Sequence, residues 1–257
     1  MVFRKLMAAF GAGVEVDTVL HSTSVRPGEL LRGTVNFRGG GSDYKVEGIF
    51  IDLTAVVEVE SGDNEYRSTY SFLHQQVAGA FQLAAGAAHS QPFEIPIPWE
   101  TPISAIGGHP LHGMKLGVQT ELALAGALDK GDLDPLFVNP LPAQEYIIAA
   151  LDRMGFQFKK ADLERGTLYG STMPFFQEIE YYAGGQWRRY FNELELTFIA
   201  GPSQMDVILE ADKRGGFLTS GQDAYNRFTV RYTDPPGSAD QALQRGLEAM
   251  ARHRGWF

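Results

Sequence analysis

The sequence has no cysteine among its 257 residues. That absence excludes disulfides, thiolate nucleophiles and zinc–thiolate sites. No run approaches the ~18 consecutive apolar residues of a membrane-spanning helix. Positive charge is scarce: 22 Lys and Arg stand against 31 Asp and Glu, for a formal net charge of −9. Nucleic-acid binders concentrate basic residues. Here the tight basic pairs are Arg4-Lys5, Lys159-Lys160, Arg188-Arg189 and Lys213-Arg214. Solvated faces account for them, so nucleic acid is not an expected partner. Catalytic signatures are missing as well. There is no GxSxG elbow, HExxH, P-loop or GxGxxG opening a βα unit.

What remains is a 44% hydrophobic, 21% charged chain, long enough for one large domain or two of ordinary size. The first half alternates with period two. Val14, Val16, Thr18 and Leu20 form one run; Leu31, Gly33, Val35 and Phe37 form the next. Ile49, Ile51, Leu53, Ala55, Val57 and Val59 line one face of a long strand, and Tyr66, Ser68, Tyr70 and Phe72 alternate after it. Met114 to Leu124 repeats the pattern. Such runs, separated by Gly, Pro, Asn and Asp, predict an antiparallel sandwich. Arg26-Pro27-Gly28-Glu29 reads as a tight corner, with Pro27 fixing φ and Gly28 free to take a positive one. PFEIPIPWETPIS loses four ladder donors to proline and must run at a sheet edge or leave the sheet.

At residues 125–142 the pattern breaks, and Gly, Asp and Pro punctuation predicts a linker. PAQEYIIAALDRMG reads as a helix, with Pro142 in the first turn and Ile147, Leu151 and Met154 on one face. Short strands are expected over 156–160 and 167–172. A hairpin over 176–199 is expected to turn at Ala183-Gly184-Gly185-Gln186, and strands follow over 205–211 and 224–232. SADQALQRGLEAMARHRG predicts a closing helix, with Ser238 and Gln241 as a capping box. At the other end, Phe3, Leu6, Met7 and Phe10 fall at i, i+3, i+4 and i+7. That spacing predicts a short helix docked on the body rather than a membrane-surface or partner-binding device. The Gly-broken run that follows Arg4-Lys5 has no A-x-A cleavage pattern, so a cytoplasmic location is expected.

Four groups merit a chemical reading. His109 and His112 are the closest histidines, but Pro110 between them opposes a helix that would place both on one face. Asp129, Asp132 and Asp134 suggest a calcium loop, yet Gly131 and Pro140 fall where that loop needs other residues. Gly39-Gly40-Gly41 reads as a hairpin loop. Tyr181, Tyr182, Trp187 and Tyr190 would make a carbohydrate platform if exposed, and domain packing if not. No metal, cofactor or catalytic residue is therefore expected.

Several segments in order carry a resemblance. They are GAGVEVDTVL after the short first helix, VRPGE at 25–29, FEIPIPWETPIS at 93–104 and the acidic ALDKGDLDPL. LDRMGFQFKKADLERGTLYG at 151–170 and NELELTF at 192–198 complete the set. The first half resembles the N-terminal domain of arrestin-like proteins, and the whole chain resembles the bacterial sporulation-control family SpoOM. The resemblance implies a mainly β fold: two arrestin-like β-sandwich domains with short N-terminal, inter-domain and C-terminal helices. The domains are expected at 1–126 and 127–257. It also implies a non-enzymatic regulatory scaffold that binds protein partners of unknown identity, in early sporulation or a related cell-cycle or developmental process. The family supplies no catalytic set to carry over, and the partner-binding residues are unknown. No stable membrane insertion is expected, and a homodimer stays open. The alternative class is a carbohydrate-binding or carbohydrate-active β-sandwich.

Overall fold

The computed structural model describes residues 13–61, 64–126, 130–213, 224–235 and 237–252. The helix expected over residues 3–10 lies outside the described residues, as do Asp129, Trp256 and Phe257.

The strands are β1 Glu15–Leu20, β2 Ser24–Val25, β3 Leu30–Arg38, β4 Tyr44–Ser61, β5 Asn64–Ala78 and β6 Phe81–Leu83. Next come β7 Ala88–Pro96, β8 Ala105–Ile106, β9 His109–Pro110, β10 Leu116–Leu124, β11 Lys130–Pro135 and β12 Phe137–Val138. Helix α1 Pro142–Arg153 leads into β13 Gln157–Arg165, β14 Phe175–Tyr182, β15 Phe191–Ala200, β16 Gln204–Lys213 and β17 Ala224–Arg231, and α2 Ser238–Arg252 follows.

The chain divides into two compact units whose segments interleave. One holds residues 1–56, 69–98 and 115–137; the other holds 57–68, 99–114 and 138–257. Residues 57–68, at the end of β4 and the start of β5, belong to the second unit, as does the segment 99–114.

In the first unit, β1, β3 and β7 form one antiparallel sheet. β11, β10 and the first part of β4 belong to the other, and β6 also pairs with β4. The face read as apolar is the core: Ile49, Ile51, Leu53 and Ala55 are at most 1% exposed. Thr18 of β1 and Thr120 of β10 bond through their buried hydroxyls at 2.6 Å. β7 is an edge strand, as its prolines require, and Phe93, Ile95 and Ile97 still point inward. The RPGE corner is a type II turn. Glu29 N–H donates to the Arg26 carbonyl at 3.1 Å, and Gly28 has φ 80°. It joins strands with different partners: β3 pairs with β1 and β7, whereas Phe137 N–H donates to Thr23 O beside β2 at 2.8 Å.

The described part of the segment read as a linker is about half strand, in β11 and β12. β11 pairs with β10 from Leu122↔Lys130 to Gly117↔Pro135. Asp132 belongs to that ladder, and its Oδ2 accepts from Thr18 N–H at 3.0 Å.

In the second unit, β13 to β17 form an antiparallel meander, and β13 meets the end of β4 in parallel at Glu164↔Glu58. Ala161, Leu163, Ile179, Leu194, Leu196 and Leu209 are buried, as are Leu243, Leu247 and Met250 of α2 and Ile147 and Leu151 of α1. α1 starts at Pro142, and Gln144 Oε1 accepts from Leu141 N–H at 2.8 Å. Gly237 precedes α2, making Ser238 its first residue. Residues 167–172 are a turn rather than a strand. Glu100 holds them by accepting from Ser171 Oγ at 2.5 Å and Thr172 Oγ1 at 2.7 Å.

Candidate functional site

His109 and His112 are both exposed, and neither belongs to a cluster of potential metal ligands among the described residues. The aromatic platform does not form either. The hairpin turn is longer than expected, running over 183–190 through a short 3-10 helix, Gly185–Arg189. Trp187 is buried at 2% exposure against Phe156 and Phe191, and Tyr181 at 3%. These rings pack within the second unit, leaving Tyr182 half-exposed.

In the first unit, Asp52 accepts from Ser71 Oγ at 2.6 Å and lies 3.0 Å from His74 Nδ1. Ser71 and His74 thus share one acceptor. A nucleophilic triad instead needs the serine hydroxyl on the histidine.

The second unit holds a groove of ≈ 500 Å³ lined by Trp99, Leu141, Tyr146, Val230, Tyr232 and Pro235. Asp234 is the one acid in its lining among the described residues. Glycoside hydrolysis needs two opposed carboxyl groups.

The most unusual chemistry lies on the polar face of the β13–β15 sheet. On β13, Lys160, Asp162 and Glu164 share one side; on β14, Glu178 and Glu180 do; on β15, Glu193 and Glu195. Strand pairing sets them side by side: Asp162↔Glu178 and Lys160↔Glu180 across one ladder, Glu180↔Glu195 across the next. Glu58 of β4 completes the row opposite Glu164. Three of these carboxylates are buried: Glu58 at 7% exposure, Asp162 at 4% and Glu180 at 6%.

Buried carboxylates need counter-charge. Lys160 Nζ supplies it to Asp162 Oδ2 at 2.5 Å and to Glu180 Oε1 at 2.9 Å. Lys159 Nζ reaches Glu180 Oε2 at 2.7 Å and Glu193 at 2.6 Å. Arg67 donates from Nε to Glu58 Oε1 at 2.8 Å. Burial pushes the Glu180 carboxyl up, but the hydrogen bonds from Lys159 and Lys160 outweigh it and leave the group below its ordinary value. Asp162 ends above its ordinary value, because burial outweighs its one lysine. Glu178 has no hydrogen-bond or ion-pair partner among the described residues. Burial, followed by the charges of Glu195, Asp162, Glu164 and Glu180, pushes it up to about 8.

No expectation from the sequence included this cluster. The available signal was the acid or lysine at every second position in KKADLE, EIE and ELEL.

Among the described residues, no helix is long and apolar enough to cross a membrane. A family model described as SpoOM protein matches residues 3–215. The sporulation-control protein spo0M of Bacillus subtilis strain 168 is 33% identical over 256 residues, covering 96% of each chain. The crystal structure of Spo0M from Bacillus subtilis matches with a TM-score of 0.82 at 27% identity, covering 94% of this chain and 100% of that one. The mainly β architecture is arrestin-like. With a third of its residues shared along almost the whole length of that protein, the chain belongs to the SpoOM family of sporulation-control proteins.

Proposed function

We propose that this chain is a non-enzymatic, cytoplasmic regulatory scaffold. It works by binding protein partners in the control of early sporulation or a related cell-cycle or developmental process. The observation that carries this reading is the end-to-end likeness to a sporulation-control protein. The sheet architecture supports binding. Among the described residues β17 pairs only with β16, so it presents an edge that a partner strand can extend. Exposed Tyr225 stands on that strand. A second copy of the chain can use the same edge.

Expression of this chain in a Bacillus subtilis strain lacking its own spo0M tests the reading. Sporulation is expected to return toward the parental level. A photo-crosslinker at Tyr225 is expected to capture a protein in those cells, and one at exposed Leu133 in the other unit is not. A folded chain that leaves sporulation unrestored removes the sporulation reading. Hydrolysis in a broad glycan screen would put the carbohydrate-active alternative in its place.

A further inference from the structure

We propose that Glu58, Asp162 and Glu164 bind a hard divalent cation, Ca²⁺, Mg²⁺ or Mn²⁺, through one carboxylate oxygen each. The three carboxylates offer oxygens that all lie within 4.8 Å of one another. Two oxygens on opposite sides of a calcium ion stand about 4.8 Å apart, twice a ~2.4 Å bond, and about 4.2 Å apart on magnesium. The donor set is all oxygen, which selects hard cations over zinc or copper.

The second observation is a single atom. Asp162 Oδ2 is held by Lys160, but Oδ1 is buried with no hydrogen-bond partner among the described residues. The residue is 4% exposed, so bulk water does not satisfy that oxygen. Native proteins rarely leave such an atom orphaned, and a bound ion is one ordinary explanation.

A second triad, Asp162, Glu178 and Glu180, shares the same aspartate. It is the poorer site, because both Glu180 oxygens already accept from lysines. Around Glu58 the situation differs: among the described residues the bonds from Arg67 to this carboxylate go to Oε1, leaving Oε2 to turn to an ion. Glu178 stands beside the site, opposite Asp162 in the strand register, with no ion-pair partner among the described residues. The site lies within one compact unit, on paired strands β4 and β13, so the backbone fixes ligand spacing. It owes nothing to the histidines at 109 and 112, and it stands or falls separately from the scaffold reading.

Full-length untagged protein, stripped with chelator and dialysed, is titrated calorimetrically with CaCl₂, MgCl₂ and MnCl₂, and its melting is followed with each salt. At least one salt is expected to bind saturably, one ion per chain, and to raise Tm. Asp162→Asn and the less buried Glu164→Gln are expected to weaken binding about tenfold or more. Both relieve like-charge repulsion, and circular dichroism checks that both are folded. A His109→Ala/His112→Ala double variant is expected to bind as the parent does. The proposal is overturned by an absence of saturable binding up to about 10 mM, beyond the weak end of protein calcium sites. It is equally overturned by unchanged binding in the two folded carboxamide variants.

Discussion

Gln177 pairs with Ile103 as a neighbouring strand would. Its side-chain oxygen accepts from Ile103 N–H at 2.9 Å, and its side-chain nitrogen donates to Ile103 O at 2.7 Å. One buried side chain thus satisfies both backbone groups of a residue that lies in no strand. Gln177→Ala would leave an N–H and a C=O buried and unpaired, at about 1–3 kcal/mol for each group. A loss of about 2–4 kcal/mol is expected in urea unfolding. A loss below about 1 kcal/mol would mean that water replaces both bonds.

Lys160 bridges two strands by holding Asp162 on its own strand and Glu180 on the next. Lys160→Met keeps the aliphatic stem and removes the charge. Glu180 retains Lys159, but Asp162 loses its one lysine in a buried setting. Removing one partner of a fully buried pair costs about 3–5 kcal/mol. Because Lys160 is 41% exposed, the expected loss at pH 7 is smaller, about 2–3 kcal/mol. The deficit should shrink as acid protonates Asp162, whose pKa already lies above the ordinary value. A deficit independent of pH would show that the lysine acts through packing alone.

Glu178 sets a pH dependence of the opposite kind. Its folded pKa of about 8 lies above the ordinary carboxylate value, so the folded state holds a proton that the unfolded chain has released. Stability from this group is therefore present at low pH. It declines as pH rises from about 4.5 toward 8 and is flat beyond. Glu178→Gln removes that decline. In chelator-treated protein, the variant should match the parent near pH 4 and exceed it at pH 8. The gain should be about 1–3 kcal/mol, discounted from the full linkage value because the carboxyl is only partly buried. A gain that is the same at both pH values would contradict the assigned pKa.

The sequence made the β core legible because one face of each strand is apolar and its period is two. Ile49 to Val59 and Leu116 to Leu124 could be read on sight, and so could the corner at Pro27-Gly28. β11 was not legible. KGDLDP is rich in turn formers, and only its pairing with β10 makes it a strand; tertiary context overrides β-propensity. The loop at 183–190 was read too short because its anchor is Trp187, a contact formed in space rather than along the chain. The acidic cluster was hidden for another reason. Each strand alone shows an ordinary polar outer face, and only the register places Asp162, Glu178, Glu180 and Glu58 together.

The 183–190 loop also yields a steric prediction. Gly184 has φ −124° and ψ −179°, an extended conformation that any residue adopts. Its constraint is contact: an added Cβ would fall inside the carbonyl of Gly155. Both partners are backbone, so neither can swing aside as a side chain would. Gly184→Ala must therefore displace the loop that seats Trp187 between Phe156, at a ring distance of 6.3 Å, and Phe191, at 6.2 Å. Overpacking of this kind costs about 1–3 kcal/mol. In a background with Trp99 and Trp256 replaced by Phe, Gly184→Ala should shift Trp187 emission to the red and lower Tm. Gly79→Ala is the matched control, since an added Cβ there meets nothing within 4 Å. It should leave both readouts near the parent. Parental emission from a folded Gly184→Ala protein would show that the loop yields without moving the ring, and the close approach of the two glycines would then have no part in holding Trp187.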